Sequence, residues 1–255
     1  MELDGSAVKA GVKLLTFEEL SSTNAQALEE ARNGERGPIW IVARCQTAGR
    51  GRRGREWVSK SGNLYATLLL TDPAPGSHMA QLSFVAALAV HDAIADTAAV
   101  LGPSLTLKWP NDVLYGGKKL CGILLEGEAK AVVIGIGINC VHHPEDTEYD
   151  ATDLATAGAH ATAESVFTAL SGAFVTRIAQ WQCGQGFSGI RADWLKRAAG
   201  INKGIRVRLQ DRETSGIFET LDETGRLVLR RPDGASELIA AGDVFPLHAA
   251  GVEPA

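Results

Sequence analysis

Cysteine is scarce in this sequence, and the four residues present form no recognisable pattern. Cys45, Cys121, Cys140 and Cys183 are scattered through 255 residues without a C-x-x-C pair. That argues against a zinc site or a disulfide scaffold and fits a reducing cytoplasm. Positive charge is also in short supply. Lys and Arg number 25 against 30 Asp and Glu, giving a net charge of -5 and a pI near 5.7. No global basic field therefore favours nucleic acid, and any anion site has to be local. No stretch reaches the roughly 18 uncharged apolar residues of a membrane helix. The start, Met1-Glu2-Leu3-Asp4-Gly5, has neither the basic nor the apolar region of a signal peptide. The expectation is a soluble cytoplasmic protein with no membrane partner. Its hydrophobic fraction of 45% and charged fraction of 22% are those of an ordinary globular chain. Also missing are a Ser-His-Asp order and a histidine near the motifs described next, so neither a triad nor a histidine general base is expected.

What is present is one dense loop, Gly49-Arg50-Gly51-Arg52-Arg53-Gly54-Arg55, followed by Glu56-Trp57. Glycines let backbone N–H groups approach a ligand closely and tolerate positive φ. Arginines add permanent charge and forked donors that suit phosphate or carboxylate oxygens. A solvated basic loop is the bland alternative, but solubility needs no glycines. The letters also spell G-x-G-x-x-G. A dinucleotide fingerprint requires a preceding strand and a helix opening within it. Ile39 to Ala43 supplies the strand, but Trp57 to Asn63 reads as a turn before another strand, so the fingerprint is rejected.

Along the chain, residues 1–12 read as a loose arm and Val12 to Phe17 as a strand. Thr23 and Gln26 have capping-box spacing ahead of a helix that ends at Gly34. Ser22-Thr23-Asn24 is either a simple cap or a helix N-terminus that holds a polar ligand atom. Asn63 to Thr71 reads as a strand, and Met79 to Val100 as a long, buried, alanine-rich helix in which His91 is packed, not a ligand. The second informative block is Lys108-Trp109-Pro110-Asn111-Asp112, where Pro110 stops the ladder. Gly116-Gly117 joins two strands as a hairpin, with Lys119 near the start of the returning strand. In Ile134-Gly135-Ile136-Gly137-Ile138-Asn139 glycine alternates along a strand and leaves one face bare for a close neighbour, either a ligand or a helix. Residues 141–160 form a polar connection whose adjacent His142 and His143 point apart. Ala163 to Gln182 and Ile190 to Ala199 are helices, with Phe167, Leu170, Phe174, Ile178 and Trp181 on the core face of the first. Short strands at 206–209, 215–221, 227–231 and 236–240 then predict a small all-β unit.

The fold expected is α+β, a mixed sheet with helices over residues 1–202, followed by a small SH3-like barrel over 203–255. The chemical inventory is donors and positive charge, which suits phosphoryl or adenylyl transfer, where positioning and electrostatics dominate.

The Arg/Gly loop with Trp57, the Lys-Trp-Pro-Asn-Asp block, Lys119-Leu120-Cys121-Gly122-Ile123-Leu124 and Gly137-Ile138-Asn139, in that order, resemble the biotin protein ligases. The resemblance runs from about Ser22 through the C-terminal unit. It implies an ATP-dependent ligase that forms biotinyl-5′-AMP and passes biotin to a lysine of a biotin carboxyl carrier domain, in acetyl-CoA carboxylase or a related carboxylase. By resemblance, Ser22, Thr23, Asn24, Gln46, Arg50, Gly51, Arg52 and Lys119 bind biotin. Arg52, Arg53, Arg55, Trp57 and Asn139 serve the nucleotide, and Arg52, Lys119 and Lys108 are the catalytic cations. Mg²⁺ is expected with ATP, with Asp112 as a metal ligand. The dozen residues before the first strand are too few for the DNA-binding domain of some members, so no repressor role and no nucleic-acid partner are expected. Monomer or homodimer stays open. The alternatives are a lipoate protein ligase, a nucleic-acid-binding module using the Arg/Gly loop, and an inactive scaffold or regulator.

Overall fold

The computed structural model describes residues 1–145 and 147–247. Its first element corrects an expectation. Residues 1–12 are not loose: α1 (Gly5–Lys9) forms there, because the Asp4 carboxylate caps it by accepting from the Ser6 N–H at 2.7 Å. Ala7 is fully buried, and the Asp4 N–H donates to the buried Ser171 hydroxyl at 2.8 Å. Five residues are too few for periodicity to reveal a helix; tertiary docking makes it. Ser171→Ala should lower stability by about 1 kcal/mol, read as a fall in the urea midpoint. An unchanged midpoint would leave Ala7 burial as the whole of the docking.

The remaining large-domain elements are β1 (Lys13–Leu20), α2 (Thr23–Arg32), β2 (Ile39–Gln46), β3 (Leu64–Thr71), α3 (Leu82–Thr97), β4 (Leu105–Lys108), β5 (Asp112–Tyr115), β6 (Lys118–Glu128), β7 (Ala131–Ile138), α4 (Ala163–Trp181) and α5 (Phe187–Leu195). The strands form a seven-stranded mixed sheet in the order β1-β2-β3-β7-β6-β5-β4, with β1 parallel to β2 and the other neighbours antiparallel. The period of two sorts its side chains. Trp40 and Val42 of β2 and Val132, Ile134, Ile136 and Ile138 of β7 face the large core shared with α3 and α4. Ile39, Ile41, Leu69 and Val133 point the other way, onto Ala27 of α2. Trp40 meets Phe167 and Phe174 of α4 edge-on, with ring centroids 5.6 and 5.3 Å apart. The segment Gly76–Thr97 is long and apolar enough to cross a membrane by length and composition. Its residues 84–90 are buried, as suits a core helix.

The C-terminal unit is a five-stranded antiparallel sheet of β8 (Gly204–Arg208), β9 (Glu213–Leu221), β10 (Leu227–Arg230), β11 (Ser236–Ile239) and β12 (Asp243–Pro246), in the order β11-β10-β9-β8-β12. Four of these strands were expected; β12, four residues ending in proline, was not. α5 also begins earlier than Ile190, at Phe187. The two units meet through Trp109, whose indole N–H donates to the Gly225 carbonyl at 3.1 Å while the ring is 1% exposed.

Candidate active site

α2 covers only one end of its sheet face. Gly122, Gly135 and Gly137 on that face line a cavity of about 320 Å³. Of the residues nominated from sequence, all but Arg53 line this cavity. The bare glycine face has two close neighbours. A Cβ at position 135 would lie 2.2 Å from Asn24 Oδ1, and one at 137 would lie 2.4 Å from Trp57 Nε1. The helix reading of the glycine pattern holds at Gly135, while at Gly137 the close neighbour is the Trp57 indole that follows the Arg/Gly loop. The Trp57 indole N–H is buried without an acceptor among the described residues.

One half of the cavity is a neutral polar cradle at the α2 N-terminus. Ser22, not Thr23, is the cap: its side chain faces the Ala25 N–H at 3.5 Å. Thr23 is thereby released to Gln46, whose Oε1 accepts from the Thr23 N–H at 2.8 Å and the Thr23 hydroxyl at 3.1 Å. Gln46 Nε2 donates to the Ser59 hydroxyl at 2.9 Å. Asn24 Oδ1 accepts from the Thr67 hydroxyl at 2.7 Å, and its Nδ2 donates to Glu126 at 2.7 Å. Glu126 in turn faces Arg50 at 3.4 Å. Thr67, Ser59 and Glu126 were missed from the sequence, because nothing local marks a strand hydroxyl as a partner of a distant amide.

The other half is cationic. The Gly51 N–H donates to the Arg55 carbonyl at 2.7 Å, which folds the Arg/Gly loop into a tight turn with Arg53 at φ +56° and Gly54 at φ +71°. No helix opens there beyond a single 3-10 turn at Arg52–Gly54, as the rejection of the dinucleotide fingerprint requires. Three arginines converge on Asp243 of β12, which is 6% exposed: Arg52 at 3.7 Å, Arg53 at 3.2 Å and Arg55 at 3.1 Å. Arg52 also donates to Asn111 Oδ1 at 3.2 Å. Lys119 contacts Asp112 at 2.7 Å and Lys108 contacts it at 3.8 Å. Five cations thus share two carboxylates, and the site keeps an excess of positive charge. Burial works against the charges of Arg52 and Lys108 and leaves both below their ordinary values. Asp243 and Asp112 offset this in part for Arg52, and Asp112 does so for Lys108. Asp243 and Asn111 complete the group that sequence reading left out.

Asp112 also shifts downward, but in its case the shift favours the charged form. Burial pushes its carboxyl up, but Lys119 and Lys108 outweigh that and hold it below the ordinary range. A carboxyl depressed on folding stabilises fully above its unfolded value and loses that contribution as pH falls through the folded value. Melting temperature should therefore fall more steeply below about pH 4 in the wild type than in Asp112→Asn. Parallel acid limbs would show that Asp112 is not the linked group. As a counter-ion to two lysines Asp112 does not fit the metal-ligand role expected of it. No cluster of three acidic, histidine or cysteine residues able to hold a metal occurs among the described residues.

Asn139 lines the cavity, but its amide donates to the Thr152 carbonyl at 3.0 Å and so holds the following loop. His142 turns to Asn63, within 3.1 Å, and His143 to Asp153, in keeping with their expected divergence.

The cavity thus joins a neutral polar end to a cation cluster, and the sequence comparisons give the class of protein as a ligase of the biotin and lipoate type. Residues 16–140 match the Biotin/lipoate A/B protein ligase family, and residues 200–245 match the Biotin protein ligase C terminal domain. A biotin--[acetyl-CoA-carboxylase] ligase of Paracoccus denitrificans is 43% identical over 240 residues, 88% of this chain and 96% of that protein. One from Mycobacterium tuberculosis is 35% identical, over 89% of this chain and 86% of that one. The solved biotin protein ligase of Aquifex aeolicus in complex with biotin and ATP superposes with a TM-score of 0.80 at 26% identity, covering 93% and 99% of the two chains. The chain belongs to the biotin protein ligase family.

Proposed function

We propose that the protein is a biotin--[acetyl-CoA-carboxylase] ligase. It joins biotin to ATP as biotinyl-5′-AMP and then to a lysine of a carboxylase carrier domain. The observation that carries this reading is the division of one cavity into a neutral cradle of Thr23, Asn24 and Gln46 and a cation cluster of Arg52, Lys108 and Lys119. The cradle matches a ring bearing carbonyl and N–H groups. The Trp57 ring, seated on Gly122 and Gly137, gives a flat apolar chain a wall to lie against. The cluster meets the place where carboxylate and triphosphate approach each other.

In the first step a carboxylate oxygen of biotin bonds to the α-phosphorus and pyrophosphate leaves. Pre-placed cations offset repulsion between the two anions and stabilise charge developing at phosphorus. In the second step the carrier lysine amine bonds to the acyl carbon, the acyl–phosphate bond breaks, and AMP leaves with its electron pair. Arg52 and Lys119 are assigned to the junction of carboxylate and α-phosphate, and Lys108 and Arg55 to the nucleotide phosphates. Mg²⁺ belongs to this reading only as a companion of ATP, since Asp112 is engaged by lysines. The Arg/Gly loop is not read as a nucleic-acid surface, because Arg52, Arg53 and Arg55 turn inward to Asp243 and Arg50 turns to Glu126. A cytoplasmic location is part of the same proposal.

The test is pyrophosphate release from ATP on adding biotin, with lipoate as control, followed by transfer to a carrier domain. Biotin-dependent release supports the assignment. Release with lipoate alone moves the protein to the sister activity, and release with neither overturns both.

A further inference from the structure

Lys108 is mostly buried, yet among the described residues it makes no hydrogen bond as close as 3.5 Å; its nearest carboxylate is Asp112 at 3.8 Å. What lies against the ammonium is an aromatic ring, with Nζ 4.0 Å from the Tyr149 centroid. Tyr149 belongs to the connection after β7, a segment without helix or strand, which cannot fix a side chain by itself. Arg55 flanks the ring, 5.8 Å from its centroid, and the other unit braces it: it stacks on Phe245 of β12, with centroids 5.0 Å apart and planes 11° from parallel. Phe245 is held in turn by the guanidinium groups of Arg206 and Arg208, which lie 4.9 and 4.7 Å from its centroid. Those two arginines are alternate residues of β8 and share one face of the C-terminal sheet. Arg208 also pairs with Glu148, the neighbour of Tyr149, and anchors the same connection a second time.

We propose that Tyr149, braced by Phe245, is a positioning residue that sets the place of the Lys108 ammonium. Through Tyr149 the C-terminal sheet thereby shapes the nucleotide end of the cavity. A ring face suits this task better than a second close carboxylate. It attracts the cation without taking up its N–H donors, which stay available to phosphate oxygens. Asp112, already engaged by Lys119 at 2.7 Å, is left as a shared and more distant counter-charge. The inference deepens the adenylate reading above and rests on it for the identity of the anion.

The experiment is a double-mutant cycle on Tyr149→Leu and Lys108→Met, with Tyr149→Phe and Phe245→Leu alongside. ATP affinity and biotin affinity are measured by titration calorimetry on the full chain, and biotin-dependent pyrophosphate release is followed in parallel. Tyr149→Leu should weaken ATP binding by about tenfold, the scale of a partly desolvated cation–ring contact. Tyr149→Phe should stay within about twofold of wild type, because the ring is kept. Biotin affinity should not change. In the Lys108→Met background, Tyr149→Leu should add nothing further, since it acts through the missing ammonium. Phe245→Leu should reproduce the Tyr149→Leu pattern even if the Tyr149 variant folds poorly. Full additivity, an unchanged ATP affinity in Tyr149→Leu, or an equal loss in Tyr149→Phe would overturn the proposal. If the wild type releases no pyrophosphate with biotin but the ATP-binding cycle is non-additive, the functional reading fails while the positioning role stands.

Discussion

Lys119→Met is expected to reduce kcat/KM for biotin-dependent pyrophosphate release by about a hundred- to a thousandfold, the scale seen when a pre-placed donor to developing charge is removed. Methionine keeps the apolar stem and most of the volume, so the comparison isolates the ammonium. The backbone around Lys119 is unusually well fixed. Its N–H donates to the Asp150 carbonyl at 2.7 Å, and its own carbonyl accepts from the Thr152 N–H at 2.9 Å. The pairing of β5 with β6 also slips here: Leu114 faces Lys119 while the preceding Val113 faces Cys121, so Leu120 is the extra residue of a bulge. A bulge re-aims the side chains beside it, and here Lys119 reaches both Asp112 at 2.7 Å and the Trp57 ring, 5.5 Å from its centroid. Asp112 holds the lysine in place before substrate arrives, so little reorganisation accompanies the chemical step. A loss of tenfold or less would mean that Arg52 and Lys108 carry the anion without Lys119, and the assignment of the junction would have to change.

Much of this site is legible in the sequence because its determinants are local. A run of arginines among glycines, a Lys-Trp-Pro-Asn-Asp turn and a strand alternating glycine with isoleucine each declare themselves within ten residues or fewer. The structure adds that all three reach one cavity. The parts that stay hidden are those whose partners are remote. Arg53 and Asp243 are 190 positions apart, and Asp243 rides on a strand too short to read as one. Tyr149 looks like an ordinary loop residue until Phe245 is placed against it. The cap at Ser22 shows a subtler failure. Thr23 has the right spacing for a capping box, but Gln46 from a neighbouring strand claims both its N–H and its hydroxyl, and the cap shifts back by one residue. Local propensity sets where a helix can start; the tertiary partner chooses among adjacent candidates.

The sharpest steric test lies on the glycine face. Gly135→Ala adds one methyl group at a point 2.2 Å from Asn24 Oδ1 and 3.0 Å from Asn24 Nδ2. The backbone of a regular strand accepts alanine, so the conflict is with the amide alone. That amide cannot step aside freely. It is 3% exposed, accepts from Thr67 at 2.7 Å and donates to Glu126 at 2.7 Å. Turning it away breaks both bonds inside a buried network, at a cost of about 1–3 kcal/mol for each group left unpaired. Overpacking of this kind adds a further cost of about 1–3 kcal/mol. The same rotation removes the Asn24 polar edge from the head cradle, so biotin affinity should fall about a hundredfold together with the urea midpoint. Gly127→Ala on β6 is the matched control, since its methyl would meet only the Ala131 carbonyl, at an ordinary 3.6 Å. Biotin binding by Gly135→Ala at the strength of Gly127→Ala would remove Asn24 from the head site and leave Thr23 and Gln46 to define it.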